Sequence, residues 1–329
     1  MRTTRILGCL ILGASLAAAQ PAPVIVDTDA GSDDLTALAY LLAGRAVHIE
    51  AITIVNGLAH VEAGTRNVVR LLELAGHPEI PVFTGRALPL RGKNEFPADW
   101  RKIADELPGI SLPLSPAKPT HRGAVDYLID RLKNKDRPVR ILALGPLTNI
   151  AEALEREPSV TANVEEMVVM GGAIHVPGNL GDGGLFKTDN KTAEWNMFID
   201  PYAARAVFQS DLKIRLIPLD ATNTVPIGVP FLKEVRSRAT TSLGLFVAKV
   251  LETDSKMIEQ GLFYAWDPLA AVAMVNPTVV RTSAVHIEIR QTAPQAGRTL
   301  VGAGEPNCRV ATRADADAFH RLFLGAFDK

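Results

Sequence analysis

Short β-branched runs alternating with amphipathic stretches constrain this chain more than any other feature. Val24-Ile25-Val26, His48–Val55, Pro81-Val82-Phe83, Val139–Leu144, Glu166–Met170 and Ile214–Leu219 read as strands. Between them Leu35–Ala43, Ala63–Ala75, Gly123–Lys133 and Thr148–Glu155 read as helices. Strands that alternate with helices build βαβ units. The expectation is an α/β fold with a mostly parallel, Rossmann-like central sheet covered by helices on both faces. Ligands of such sheets bind beyond the carboxyl ends of the strands, so chemistry is sought in the residues just after each strand. Three stretches read as long loops: Gly85–Pro119, rich in Pro and charge and carrying Trp100 as a flap; Pro177–Lys191; and Asp220–Pro230.

The chain has 329 residues, with 35 Lys and Arg against 36 Asp and Glu. That length suits one large domain or two smaller ones, and the balance argues against a general nucleic-acid binder, which needs a basic surface. The start is organised differently from the rest. Arg2 and Arg5 precede an apolar run from Ile6 to Ala18, followed by Ala17-Ala18-Ala19-Gln20, an A-x-A cleavage site. Residues 1–19 are therefore expected to be a secretory signal peptide, leaving residues 20–329 as a single domain, exported to the periplasm or outside the cell. A permanent membrane anchor would need roughly 20 apolar residues, more than this run provides. Cleavage removes Cys9 and leaves Cys308 alone, so no disulfide framework is expected.

The strongest local signal is VIVDTDAGSDD. Asp27, Asp29, Asp33 and Asp34 crowd the point where a buried strand turns into a helix. Carboxylates that close repel one another unless a cation intervenes. Asp33 and Asp34 alone could simply favour the positive end of the helix dipole, which accounts for one or two acids but not four. An oxygen-only donor set favours Ca²⁺, which takes roughly six to eight oxygen ligands, over zinc. Phosphatases of the haloacid-dehalogenase type also begin with a strand and DxD. They want Thr or Val where this chain has Gly31, and their downstream Lys and acidic pair have no clear match.

DTDAGSDD resembles the DxDxGxDD signature of the nucleoside hydrolases. The resemblance continues, in order, through Gly145-Pro146-Leu147-Thr148-Asn149, Met170-Gly171-Gly172 with Asn179, Glu194-Trp195-Asn196 ahead of Asp200-Pro201, and Trp266-Asp267-Pro268. It implies the nucleoside hydrolase fold and hydrolysis of ribonucleosides to ribose and free base. It also implies a Ca²⁺ held by Asp29, Asp34, the carbonyl of Thr148 and Asp267, together with water and two ribose hydroxyls. Asp29 would be the general base and Asp33 would bind a ribose hydroxyl. Asp27 would orient the ligands from behind. Met170, Asn179, Glu194 and Asn196 would line the ribose site. Homodimers or homotetramers are common in the family, and no membrane partner is implied once the signal is removed.

Two positions depart from the family's usual pattern. Trp266 stands where many members have a His that protonates the leaving base, and an indole can stack on a base but not supply a proton. Leu58 falls where an Asn often contacts the ribose, leaving Asn56 or His60 as possible substitutes. His175 is expected to be structural. Against the hydrolase stands a periplasmic nucleoside-binding protein that keeps the cation site without turnover.

Overall fold

The computed structural model describes residues 23–44, 46–134, 137–181, 184 and 186–328. The signal-peptide expectation lies outside them. One eight-stranded sheet organises the chain, in the order β3-β2-β1-β4-β5-β6-β10-β7. Its strands are β1 (Pro23–Thr28), β2 (His48–Ile54), β3 (Val82–Thr84), β4 (Val139–Ala143), β5 (Val164–Met170), β6 (Ile214–Ile217), β7 (Val280–Val285) and β10 (Cys308–Ala314). All neighbours are parallel except β10 and β7, so an antiparallel strand closes one edge. A separate hairpin pairs β8 (Ile287–Ile289) with β9 (Thr299–Val301). The Rossmann-like reading holds, with an edge that the sequence did not single out.

Successive side chains on a strand point to opposite faces. Val24 and Val26 of β1 thus enter one core and Ile25 the other. The first core is covered by α1 (Ser32–Ala43), α2 (Val61–Ala75), α10 (Ser242–Thr253), α12 (Trp266–Val275) and α13 (Ala316–Gly325). The second is covered by α4 (Ala124–Lys133), α5 (Thr148–Arg156) and α7 (Pro201–Phe208). Both faces are buried, which is why the strands read as nearly continuous apolar runs. Cys308 is buried in β10 with its thiol pushed up to about 12 by desolvation, so it packs as a small apolar group. Among the described residues, no helix is long and apolar enough to cross a membrane.

The strand order reverses between β1 and β4, since β1 leads through α1 to β2 on one side while β4 lies on the other. At such a switch point the two connections diverge and leave a crevice at the carboxyl ends of the strands. Asp29 emerges from β1 there. The Gly85–Pro119 segment is not a bare loop, for it contains α3 (Ala98–Glu106) and is tied down to α2. Asn67 Nδ2 donates to the carbonyls of Ala104 (3.1 Å) and Asp105 (3.2 Å), and Arg70 Nε donates to that of Pro113 (2.9 Å). The Asp220–Pro230 stretch likewise begins inside a short helix, α8 (Leu219–Thr222).

Candidate active site

The turn after β1 is built to hold Asp34. The Asp29 and Gly31 amides donate to its two carboxylate oxygens at 3.2 and 3.1 Å, and the Thr28 hydroxyl donates to Oδ1. Ala30 takes φ +58° to make this possible, a left-handed conformation that a residue with a Cβ enters at a cost. Gly31 has no Cβ for a steric reason: one there would lie 2.7 Å from Leu58 Cδ2. Asp29 is fixed from the neighbouring strand, because the Leu58 amide donates to its Oδ2 at 2.7 Å and the Ala59 amide to its carbonyl at 3.1 Å. Leu58 thus contributes its backbone to Asp29, whatever its side chain does.

Asp267 arrives from the first turn of α12, which packs on α1. It is buried, and its Oδ1 has no hydrogen-bond partner among the described residues. Asp33, Asp34 and Asp267 each present a carboxylate oxygen, all within 4.8 Å of one another. Burial pushes the Asp29 carboxyl well up, and the Asp34 charge adds to it. Asp33 is pushed up to about 8 by the same two causes, and Asp267 well up by burial, Asp34 and Asp33. An unpartnered buried oxygen among crowded carboxylates fits a hard cation, whose charge would reverse all three shifts. Asp27 lies behind this cluster. It accepts from Thr53 Oγ1 (2.5 Å) and Asn149 Nδ2 (2.8 Å) and is pushed up to about 7 by burial.

Asp29, Asp33, Asp34 and Asp267 open onto a cavity of about 330 Å³. On its second wall Glu194 caps α6 (Trp195–Ile199), accepting from the amides of Gly172 (2.8 Å), Asn196 (2.9 Å) and Met197 (3.2 Å). Asn196 Nδ2 donates to the Leu144 carbonyl at 2.7 Å, and Asn179 Oδ1 accepts from the Trp195 amide at 3.2 Å. Met170 lines the same wall. The remaining lining is largely apolar and includes Trp100, Ile103, Leu107, Phe263 and Trp266. Trp195, also on the lining, is stacked on Phe96 at 4.6 Å and edge-on to Trp100 at 5.6 Å.

The fold therefore gathers Asp29, Asp33, Asp34, Asp267, Asn179, Glu194, Asn196, Met170, Trp266, Trp100 and Leu58 around one cavity. Four other candidates stand apart from its lining. Thr148 opens α5 and gives its hydroxyl to Asp200 at 2.9 Å, while Leu144 is the residue of that segment on the cavity wall. Asn56 is buried nearby, its Oδ1 without a partner among the described residues, but is not part of the lining. His60 caps α2 and pairs with Asp105 at 2.6 Å, holding α3 in place. His175 is exposed, and its amide donates to Asp220 at 2.8 Å.

Sequence reasoning missed the corner between α10 and α11 (Ser255–Glu259), where Thr253, Asp254, Lys256 and Met257 line the cavity. The available signal was Thr-Asp-Ser between two apolar stretches, an N-cap pattern that marks a helix start.

Residues 24–321 match the family model of the inosine-uridine preferring nucleoside hydrolases. A probable uridine nucleosidase of rice, Oryza sativa subsp. japonica, is 30% identical over 284 residues, covering 85% of each chain. A solved plant nucleoside hydrolase superposes with a TM-score of 0.82 at 29% identity, covering 94% of this chain and 99% of its own. A purine-preferring ribonucleoside hydrolase from Gardnerella vaginalis superposes with a TM-score of 0.79 at 28% identity, covering 93% of this chain and 98% of its own. A match of that extent sets aside the phosphatase reading, and a strand-end acidic cluster facing polar residues across one cavity is what it would lead one to look for. The chain belongs to the nucleoside hydrolase family and is a hydrolase of N-glycosyl compounds that acts on ribonucleosides.

Proposed function

We propose that this protein is a Ca²⁺-dependent ribonucleoside hydrolase whose general base is Asp29 and whose leaving base stacks on Trp266. The observation that carries it is the meeting, in one cavity, of a carboxylate cluster, a wall of ribose-sized polar groups and an aromatic wall. Asp34 and Asp267 of that cluster would hold the ion, joined by Asp29, which the family resemblance suggests in place of the clustered Asp33, and by a backbone carbonyl from the segment after β4. Thr148 is the carbonyl that the family resemblance suggests, and Leu144 is the one on the cavity wall. A Ca²⁺ bound there supplies positive charge that offsets the carboxylates and anchors the vicinal hydroxyls of the ribose.

The side chains then divide the work. Asp33 accepts a hydrogen bond from a ribose hydroxyl. Asn179, Glu194 and Asn196 orient the rest of the sugar, and their oxygens favour the positive charge that develops as the glycosidic bond weakens. Asp29 is held by the Leu58 amide in one orientation, leaving it free to take a proton from the attacking water. Trp266 and the flanking apolar residues exclude water from the base. Purine and pyrimidine ribosides both fit this description, with purines gaining more from the indole face.

The deciding experiment is release of reducing sugar from inosine, adenosine, guanosine, uridine and cytidine in millimolar Ca²⁺. Turnover of at least one supports the reading. Tight binding without turnover of any would leave a nucleoside-binding protein instead.

The N-terminal pattern supports export, with residues 20–329 as a single catalytic domain. Sequencing the secreted or periplasmic protein from Gln20 would test this. A dimer or tetramer is the expected assembly, to be checked by light scattering.

A further inference from the structure

Trp266 leaves the departing base without the proton donor that a His at that place would provide. Nucleobases are poor leaving groups as anions, so some group has to meet the charge. The α10–α11 corner brings a carboxyl into the cavity that has no task in the scheme above. Asp254 ends α10, precedes α11 and lines the cavity with Met257, Phe263 and Trp266. It is separate from the Asp33, Asp34 and Asp267 group.

Its surroundings shift it toward the neutral acid. Oδ2 is closed off from solvent and has no hydrogen-bond partner among the described residues. Charge around it on the cavity wall comes from Asp33 on α1, Asp267 on α12 and the exposed Lys256 on α11. Of these, Asp33 couples to Asp254 and repels its ionised form. Helices α2 and α9 (Val229–Arg238), which also pack on α10, place no described residue on that wall. Burial pushes the carboxyl up to about 6, with the Ser32 side chain offsetting part of the effect. A carboxylic acid that titrates close to neutrality and lines the substrate cavity has the properties of a general acid.

We propose that Asp254 is the acid that protonates the departing base. The inference rests on the nucleoside-hydrolysis reading above. As the C1′–N bond breaks, its electron pair stays on the base, and the Asp254 proton passes to a ring nitrogen or carbonyl oxygen of that base. Water adds to C1′ and yields its proton to Asp29. The base departs neutral, ribose forms, and Asp29 returns its proton to solvent while Asp254 takes one up. The sum is nucleoside plus water giving ribose plus base.

The test compares two leaving groups. Inosine needs a proton on its base, whereas p-nitrophenyl β-D-ribofuranoside releases a phenolate that needs none. Asp254→Asn should lower kcat on inosine by roughly 100-fold or more, the usual range for a general acid. Its loss on the nitrophenyl riboside should be at least tenfold smaller, and Asp254→Glu should recover part of the inosine activity. Equal losses on the two substrates, or no loss on inosine, would overturn the acid role while leaving the hydrolase reading intact. A wild-type protein that cleaves neither substrate would overturn the hydrolase reading itself.

Discussion

Gly57 runs so close to Asp29 that a Cβ at position 57 would lie 1.9 Å from Asp29 Oδ2 and 2.5 Å from its own Cβ. The glycine is what lets the segment after β2 deliver the Leu58 amide to the Asp29 carboxylate. Gly57→Ala must therefore push Asp29 aside or move the segment. We expect kcat on the best nucleoside to fall at least tenfold, with a stability loss of about 1–3 kcal/mol from overpacking. Denaturant unfolding and steady-state kinetics check the two parts. Unchanged kcat would mean that the position of Asp29 does not set the rate.

The carboxylate cluster makes the metal-free protein sensitive to pH in a defined direction. Asp29, Asp33 and Asp267 have folded-state pKa values raised above the ordinary 3.8, Asp33 to about 8. The native state then binds more protons than the unfolded chain, so stability is present at low pH and is lost as pH rises from about 4 toward 8. Ca²⁺ should reverse the loss, adding about 2.7 kcal/mol at a concentration 100 times Kd. Asp267→Asn should raise the Tm of the metal-free protein and abolish its rise with Ca²⁺. Scans in chelator and in Ca²⁺ across that pH range check both; a Tm indifferent to Ca²⁺ in the wild type contradicts the cation site.

Much of this arrangement was legible in the sequence because it is local. The parallel strands announce themselves as apolar runs such as Val24-Ile25-Val26, and the acids follow the first run directly. Asp267 and Glu194 could be placed only through the family resemblance, since their proximity depends on α12 packing against α1 and on α6 meeting the end of β5. Asp254 escaped notice for the same reason: nothing near it in the chain reveals that the α10–α11 corner folds over the acids. Thr148 and Leu144 show the opposite limit. Both lie in one short segment, and only the geometry tells which faces the cavity. His60 sits past a strand end as expected, but Asp105 of the Pro-rich segment claims its ring. Antiparallel β7 was hidden because its exposed edge position breaks the apolar run that marks the other strands.

A second pH response should come from outside the site. His320 on α13 lies over Phe231 with ring centroids 4.6 Å apart, and its Nε2 is buried without a partner among the described residues. Burial lowers its pKa from the ordinary 6.5. The unfolded chain then takes up a proton that the native state refuses, so stability is full above pH 6.5 and falls as pH drops through the window beneath it. In His320→Phe, which keeps an aromatic ring on Phe231, this part of the slope should disappear. Urea titrations at pH 5.5 and 7.5 measure it, and an identical slope in the variant would exclude His320 as its source.

Trp266 offers a broad apolar face to the cavity while its edge meets Phe263 at 5.1 Å and 63°. That contact holds the indole plane in place before any ligand arrives, so stacking requires little reordering. A stacked base is worth about 1–3 kcal/mol, or roughly 5- to 150-fold in affinity. The larger bicyclic face of a purine covers more of the indole than a pyrimidine does. Trp266→Ala should therefore reduce kcat/KM for inosine, adenosine and guanosine by an amount within that range, and for uridine and cytidine by several-fold less. Trp266→Phe, which keeps a smaller face, should fall between. If all five nucleosides lose equally, the indole shapes the neighbouring Asp267 rather than the base, and the Ca²⁺ dependence of the variant should then be shifted as well.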